Sequence, residues 1–191
     1  MRWFSRSLSG LLVLVATSAL VVTLFALGGA FGFYTVVIGN PLTLSDMSSI
    51  AVAGGAPAFL ALAAAMHERC LQDPELNHPF SHSSPGHVER LADYWAEVFG
   101  GPARYSRSHG DHSSVLGIHA GEGAEEDLGV RFVACFMQAL DDARLPDDPE
   151  FRAGLRSYIE SATSEVIFYS PHGSRVPAAL PFPHWGWNGR E

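Results

Sequence analysis

From Ser7 to Ser45 the chain carries no charged side chain, and this stretch divides it into two parts that must fold under different rules. Leu11 to Ile38 reads almost continuously apolar, while every charged residue except Arg2 and Arg6 lies at Asp46 or beyond. A membrane core is crossed by about 20 apolar helical residues, so the literal expectation is a transmembrane helix. Arg2 and Arg6 on one flank, and no further cation until Arg69 on the other, leave the N-terminus in the cytoplasm and export the remainder. Two other readings fit the same residues. One is a long signal peptide cut near Gly28, Gly29 and Ala30; the other is a gene start placed too early, with Met47 as the first residue. The domain is membrane-anchored in the first case and cytoplasmic in the last. The expected organisation is a hydrophobic segment over 1–46, a folded domain over 47–170 and a Pro-, Gly- and Trp-rich arm over 171–191.

The second part has the period of helices. Ala58 to Leu71 is rich in Ala and Leu without internal Gly or Pro, and Asp73-Pro74 ends it. Ser84-Pro85 is expected to open the next helix, with Leu91, Trp95 and Val98 on one face up to Gly100-Gly101-Pro102. A polar linker from Ser106 to Ser114 leads to a short apolar stretch, Val115 to His119. Leu128 to Ala143 reads as a strong helix with Val130, Val133, Ala134 and Phe136/Met137 as its buried stripe. Asp148-Pro149-Glu150 starts another, in which Phe151, Leu155, Tyr158, Ile159, Ala162, Val166 and Ile167 keep the 3.6 period. From Ser170 the prolines predict an extended arm, with Trp185 and Trp187 packed onto the body. No alternating pattern is long enough for a sheet, so the soluble part is all-α.

Composition removes several function classes. The formal net charge is −8, which argues against a nucleic-acid partner. All 12 basic residues are Arg; without a Lys there is no P-loop and no Schiff-base chemistry. Cys70 and Cys135 lack the spacing of a zinc ribbon or redox motif and read as buried thiols on neighbouring helices.

The nine His are the residues to explain. His78, His82, His109, His112, His172 and His184 stand in polar or Pro/Gly-rich surroundings, where exposure on the surface accounts for them. His67 falls on or beside a buried helical stripe, His87 shares a face with Leu91, and His119 ends an apolar segment. A zinc site drawing on His78, His82 and His87 is one use of such residues, although no HExxH or paired Cys supports it. Haem is another, since it needs one imidazole on the iron and an apolar slot around the macrocycle.

A series of short motifs occurs in order. It begins with Gly54-Gly55 ahead of Phe59, then Asp73-Pro74-x-Leu76 leading to Phe80, and His87-Val88-Glu89-Arg90-Leu91. Phe99-Gly100-Gly101-Pro102 with Tyr105-Ser106 follows, then His112 ahead of Leu116-x-x-His119, Arg131-Phe132-Val133-x-Cys135, and Leu145-Pro146-x-Asp148-Pro149-Glu150-Phe151-Arg152. Over about Ser49 to Tyr169 this series resembles the truncated haemoglobins, most closely the group II (O-type) subfamily and its actinobacterial relatives.

The resemblance implies a two-over-two helical sandwich around haem b. It makes His119 the proximal iron ligand, sets Phe80 against the haem face, and turns His87 and Leu91 toward the bound ligand. Phe132 stands where group II members usually have Trp, and His67 where they usually have Tyr. Phe132 cannot donate a hydrogen bond to a ligand; His67 and His87 can. Tyr105 and Arg104 are expected partners for the haem propionates.

The implied function is reversible binding of O₂ and other diatomics such as NO or CO, for storage, sensing or transport. A variant has His67 or His87 on the sixth iron position at rest. The alternative is a haem redox enzyme, an NO dioxygenase or peroxidase-like activity, which would need a separate reductase because the chain holds no flavin or nicotinamide domain. A third reading is a globin-like helical domain that has lost its haem.

Overall fold

The computed structural model describes residues 53–186 and 189–191 in full, and the backbone of 36–37 and 40–41. The chain divides into two compact units, residues 1–42 and 43–191.

Of the first unit only a short strand pair is described: β1 (Val36–Val37) runs antiparallel to β2 (Asn40–Pro41), with Val36 opposite Pro41 and Val37 opposite Asn40. A transmembrane helix was expected within the apolar run from Leu11 to Ile38, and Val36–Val37 near the end of that run are in extended backbone. The rest of the expected anchor lies outside the described residues. Among those that are described, no helix is long and apolar enough to cross a membrane.

The second unit contains seven described helices: α1 (Ala56–Gln72), α2 (Asn77–Ser81), α3 (His87–Val98), α4 (Tyr105–Ser108), α5 (His112–His119), α6 (Glu126–Asp142) and α7 (Pro149–Tyr169). Helix α1 packs on α3 and on α6, and α6 packs on α7, so two helix pairs form two layers. Phe59, Leu62, Ala63 and Met66 of α1 are fully buried between them, with Val98 of α3 and Phe136, Ala139 and Leu140 of α6. Aromatic rings lock the layers together. Phe59 stacks on Phe99 at 5.5 Å, Trp95 meets Phe136 edge-on at 5.1 Å, and Phe99 meets Tyr158 at 4.8 Å.

Local chemistry sets most boundaries. Asp73 accepts hydrogen bonds from the Glu75 and Leu76 amides beyond the end of α1. Asp111 caps α5 by accepting from the Ser114 amide at 2.8 Å, and Asp148 caps α7 by accepting from the Phe151 amide at 2.8 Å, with Pro149 in the first turn.

Three details differ from expectation. Helix α3 begins at His87 rather than at Ser84-Pro85, because Gly86 takes a left-handed φ of 74° that no helix continues through. The buried stripe of α6 is Gly129, Cys135, Phe136, Ala139 and Leu140, with Phe132 and Val133 half-buried. Ala134 is exposed and Val130 is 64% exposed, because α6 is turned toward both α1 and α7. The linker expected over Ser106 to Ser114 is partly helical, in α4 from Tyr105 and in α5 from His112, earlier than the apolar residues alone suggested.

The arm ends in two short strands, β3 (Trp185–Gly186) and β4 (Gly189–Arg190), paired antiparallel. Trp185 packs edge-on against Tyr158 at 5.6 Å. Trp187 lies outside the described residues.

Candidate functional site

Helices α1, α2, α3 and α6 bring four rings together. His67 leaves the outer edge of the α1 core stripe, one residue beyond the buried Met66. Phe80 comes from the short α2, which Asp73 and Pro74 force to turn away from α1. His87 opens α3, and Phe132 stands on the α6 stripe. The ring centroids of His67 and His87 are 5.5 Å apart, and each is 5.8 Å from Phe80. Phe80 stacks on Phe132 at 6.3 Å. Leu91, one turn beyond His87, is half-buried against the core.

Two atoms in this cluster violate the usual rule that buried polar groups are paired. Nδ1 of His67 and Nε2 of His87 are both shielded from solvent and have no hydrogen-bond partner. Burial, then the neighbouring His67, Arg90 and His119, hold the His87 pKa below the ordinary 6.5, so its ring is neutral at pH 7. A neutral imidazole offers one N–H donor and one acceptor.

His119, the last residue of α5, presents surface to solvent, yet burial pulls its pKa down, offset in part by Glu122. His119 lies near enough to His87 to depress that ring's pKa. The local sequence makes this placement: α5 is only eight residues long, Leu116 anchors it in the core, and Ala120-Gly121 ends it just past the imidazole.

The structure therefore brings His67, Phe80, His87 and Phe132 into ring contact, with Leu91 on the same helix face as His87 and His119 within electrostatic reach. Tyr105 is placed differently. It is buried, with its ring against Tyr94 at 5.0 Å, His109 at 5.5 Å and Phe182 of the arm at 6.3 Å. Burial raises its pKa. Arg104 lies 4.0 Å from Asp93.

His78 and His82 pair their rings at 4.8 Å on the surface of α2. Among the described residues, no three His, Cys, Asp or Glu side chains gather as a metal site. Cys70 and Cys135 are buried free thiols. They sit one helical turn beyond His67 and Phe132, and burial raises both pKa values, so they read as packing residues of the α1–α6 contact.

One site-adjacent group was missed. His112, expected at the surface, is 4% exposed. It is drawn inward because it shares a helix face with Leu116 and His119, at spacings of four and seven. The hydroxyl of Tyr94 on α3 lies 2.9 Å from its Nδ1, and Oε2 of Glu165 on α7 lies 3.2 Å from its Nε2. That 4-then-3 spacing was the signal available in the sequence.

The haem implied by the motif series can be tested against these residues. His119 is neutral and accessible, with a ring lone pair free for a metal. Phe80, Phe132 and Leu91 supply apolar walls. The two unpartnered imidazole nitrogens add polar groups to the same cluster. The donor set fits the group.

Comparison with known proteins points the same way. A family described as bacterial-like globin matches residues 51–160, more than half of the chain. The hemoglobin of the actinobacterium Thermobifida fusca is 26% identical, with a TM-score of 0.53, over 63% of this chain and 97% of that one. The hemoglobin of Chloroflexus aurantiacus is 23% identical, with a TM-score of 0.56, over 63% and 98%. The group II truncated hemoglobin of Bacillus anthracis is 17% identical, with a TM-score of 0.58, over 67% and 95%. No curated protein sequence matches. The seven-helix fold, the order of its motifs and the family match agree, and the chain belongs to the bacterial-like globin family, with truncated haemoglobins as its structural relatives.

Proposed function

We propose that this globin holds haem b through His119 and binds O₂, NO or CO reversibly on the side faced by His67, His87 and Leu91. The observation that carries the reading is the pair of buried, unpartnered imidazole nitrogens in the Phe80–Phe132 cluster, in electrostatic contact with His119. Haem would supply an iron that takes a bond from the protein and binds a small diatomic ligand.

His119 would hold the iron through its neutral ring. Phe80, Phe132 and Leu91 exclude water and keep the ligand side apolar. His67 and His87 donate N–H to a ligand oxygen, a task that Phe132 cannot perform and that Tyr and Trp carry out in group II relatives. A buried hydrogen bond of this kind contributes about 0.5–1.5 kcal/mol, which corresponds to roughly a two- to tenfold slower ligand release.

The test is the absorption spectrum of the protein purified with haem supplied, beside a His119→Ala variant. The expected result is a Soret band in the parent that is lost or strongly shifted in the variant. No haem uptake by the parent would overturn the reading. The reduced spectrum tests the sixth position: a low-spin form without added ligand would mean that His67 or His87 occupies it.

A further inference from the structure

Outside the ring cluster, Tyr94, the buried His112 and Glu165 form a hydrogen-bonded chain across three helices. A carboxylate only accepts, so Nε2 of His112 carries a proton and donates to Glu165 at 3.2 Å. The Tyr94 hydroxyl pairs with Nδ1 on the other side of the ring at 2.9 Å. Arg190 of β4 adds the last link, 3.8 Å from the same Glu165 oxygen. The positions of Tyr94 and His112 give the chain its meaning. Tyr94 stands seven residues beyond His87 on α3, and His112 seven residues before His119 on α5. Seven residues are nearly two full helical turns, about 10.5 Å along each axis. Each thus shares a face with one of the site's imidazoles, and their mutual hydrogen bond ties the two helices together.

The arm touches all three elements that this chain joins. The Leu180 amide donates to Ser113 Oγ in the first turn of α5 at 2.9 Å. Phe182 sets its ring against Tyr94 of α3 at 5.2 Å. Arg190 reaches Glu165 of α7. The arm lies beyond residues 51–160, the span matched by the family.

We infer that the C-terminal arm and the Tyr94–His112–Glu165 chain together fix α5 against α3, with His112 as the positioning residue for the His119 imidazole. The inference rests on His119 as the haem ligand in its second half, and on the hydrogen bonds alone in its first.

Both halves are tested on full-length chains carrying Tyr94→Phe, Glu165→Ala, Glu165→Gln or Arg190→Ala. Without haem, amide hydrogen exchange across α5 is expected to run about tenfold faster in Tyr94→Phe and Glu165→Ala, with α6 unchanged. Arg190→Ala should give only about a twofold change, because that pair is partly exposed. Glu165→Gln should restore most of the protection, since its amide oxygen still accepts from Nε2. With haem, the iron–imidazole stretching band of the reduced protein should shift in Tyr94→Phe and Glu165→Ala and return in Glu165→Gln, a pattern that loss of packing alone would not produce. Unaltered α5 exchange together with an unaltered band would overturn the inference. Failure of the unsubstituted protein to take up haem would overturn the haem reading, while the exchange data would still decide whether the arm holds α5.

Discussion

His87 carries a pH signature that its surroundings explain. Burial, reinforced by His67, Arg90 and His119, lowers its pKa, so folding favours the neutral ring. In the unfolded chain the ring regains the ordinary 6.5 and binds a proton below it. The unfolded state therefore holds more protons as pH drops under that value, and the contribution of His87 is complete above pH 6.5 and lost as pH falls toward its folded value. Melting of the haem-free protein is expected at a lower temperature at pH 5.5 than at pH 7.5, and His87→Leu should narrow the gap between them. An equal gap in both proteins would show that other groups set the acid sensitivity. His87 and His67 were recognisable in the sequence because a helix face relates each to apolar neighbours. His112 was not, because its chain neighbours Gly110, Asp111 and Ser113 are polar, and only its register with Leu116 and His119 shows that it turns inward.

At the scale of elements, helix interiors were legible and helix faces less so. Propensity and breakers place α1 and α7 within a residue or two, since Asp73-Pro74 and Asp148-Pro149 act locally. The orientation of α6 depends on two partners at once, information that no local window contains, and Gly129 shows the consequence. A Cβ built there would lie 2.9 Å from Thr163 Cγ2 and 3.5 Å from Ile167 Cγ1 on α7, so the glycine permits the close approach of the two helices. Thr is stiff at χ1 and cannot easily withdraw. Replacing Gly by Ala in a helix normally gains about 1 kcal/mol, while overpacking costs about 1–3 kcal/mol. Gly129→Ala is accordingly expected to lose about 1 kcal/mol in urea unfolding. Gly154→Ala is the control: it sits in α7 with nothing within 4 Å of the added carbon, and should gain about 1 kcal/mol instead. Equal effects at the two positions would mean that α6 and α7 separate freely.

For the whole molecule, the order of motifs carried more than any one of them. Phe80, His87, Leu91, His119 and Phe132 are spread over four helices, and only the assembled layers turn them toward each other. The packing of Trp185 on the body was legible in the sequence, while the partners of Leu180, Phe182 and Arg190 were not, because they depend on chain distant in sequence folding back over α3, α5 and α7. The unpartnered nitrogens of His67 and His87 also bear on how such a protein would change under selection. A buried polar atom without a partner costs about 1–3 kcal/mol, and under the proposed function a bound ligand returns that cost by accepting its hydrogen bond. Heat resistance and ligand retention thus pull positions 67 and 87 in opposite directions. A random library sorted only by melting temperature without ligand is expected to fill these two positions with Leu, Met or Phe, and the survivors should release O₂ faster than their parent. Histidine kept at both positions under that sorting would show that the imidazoles are held for the fold rather than for the gas.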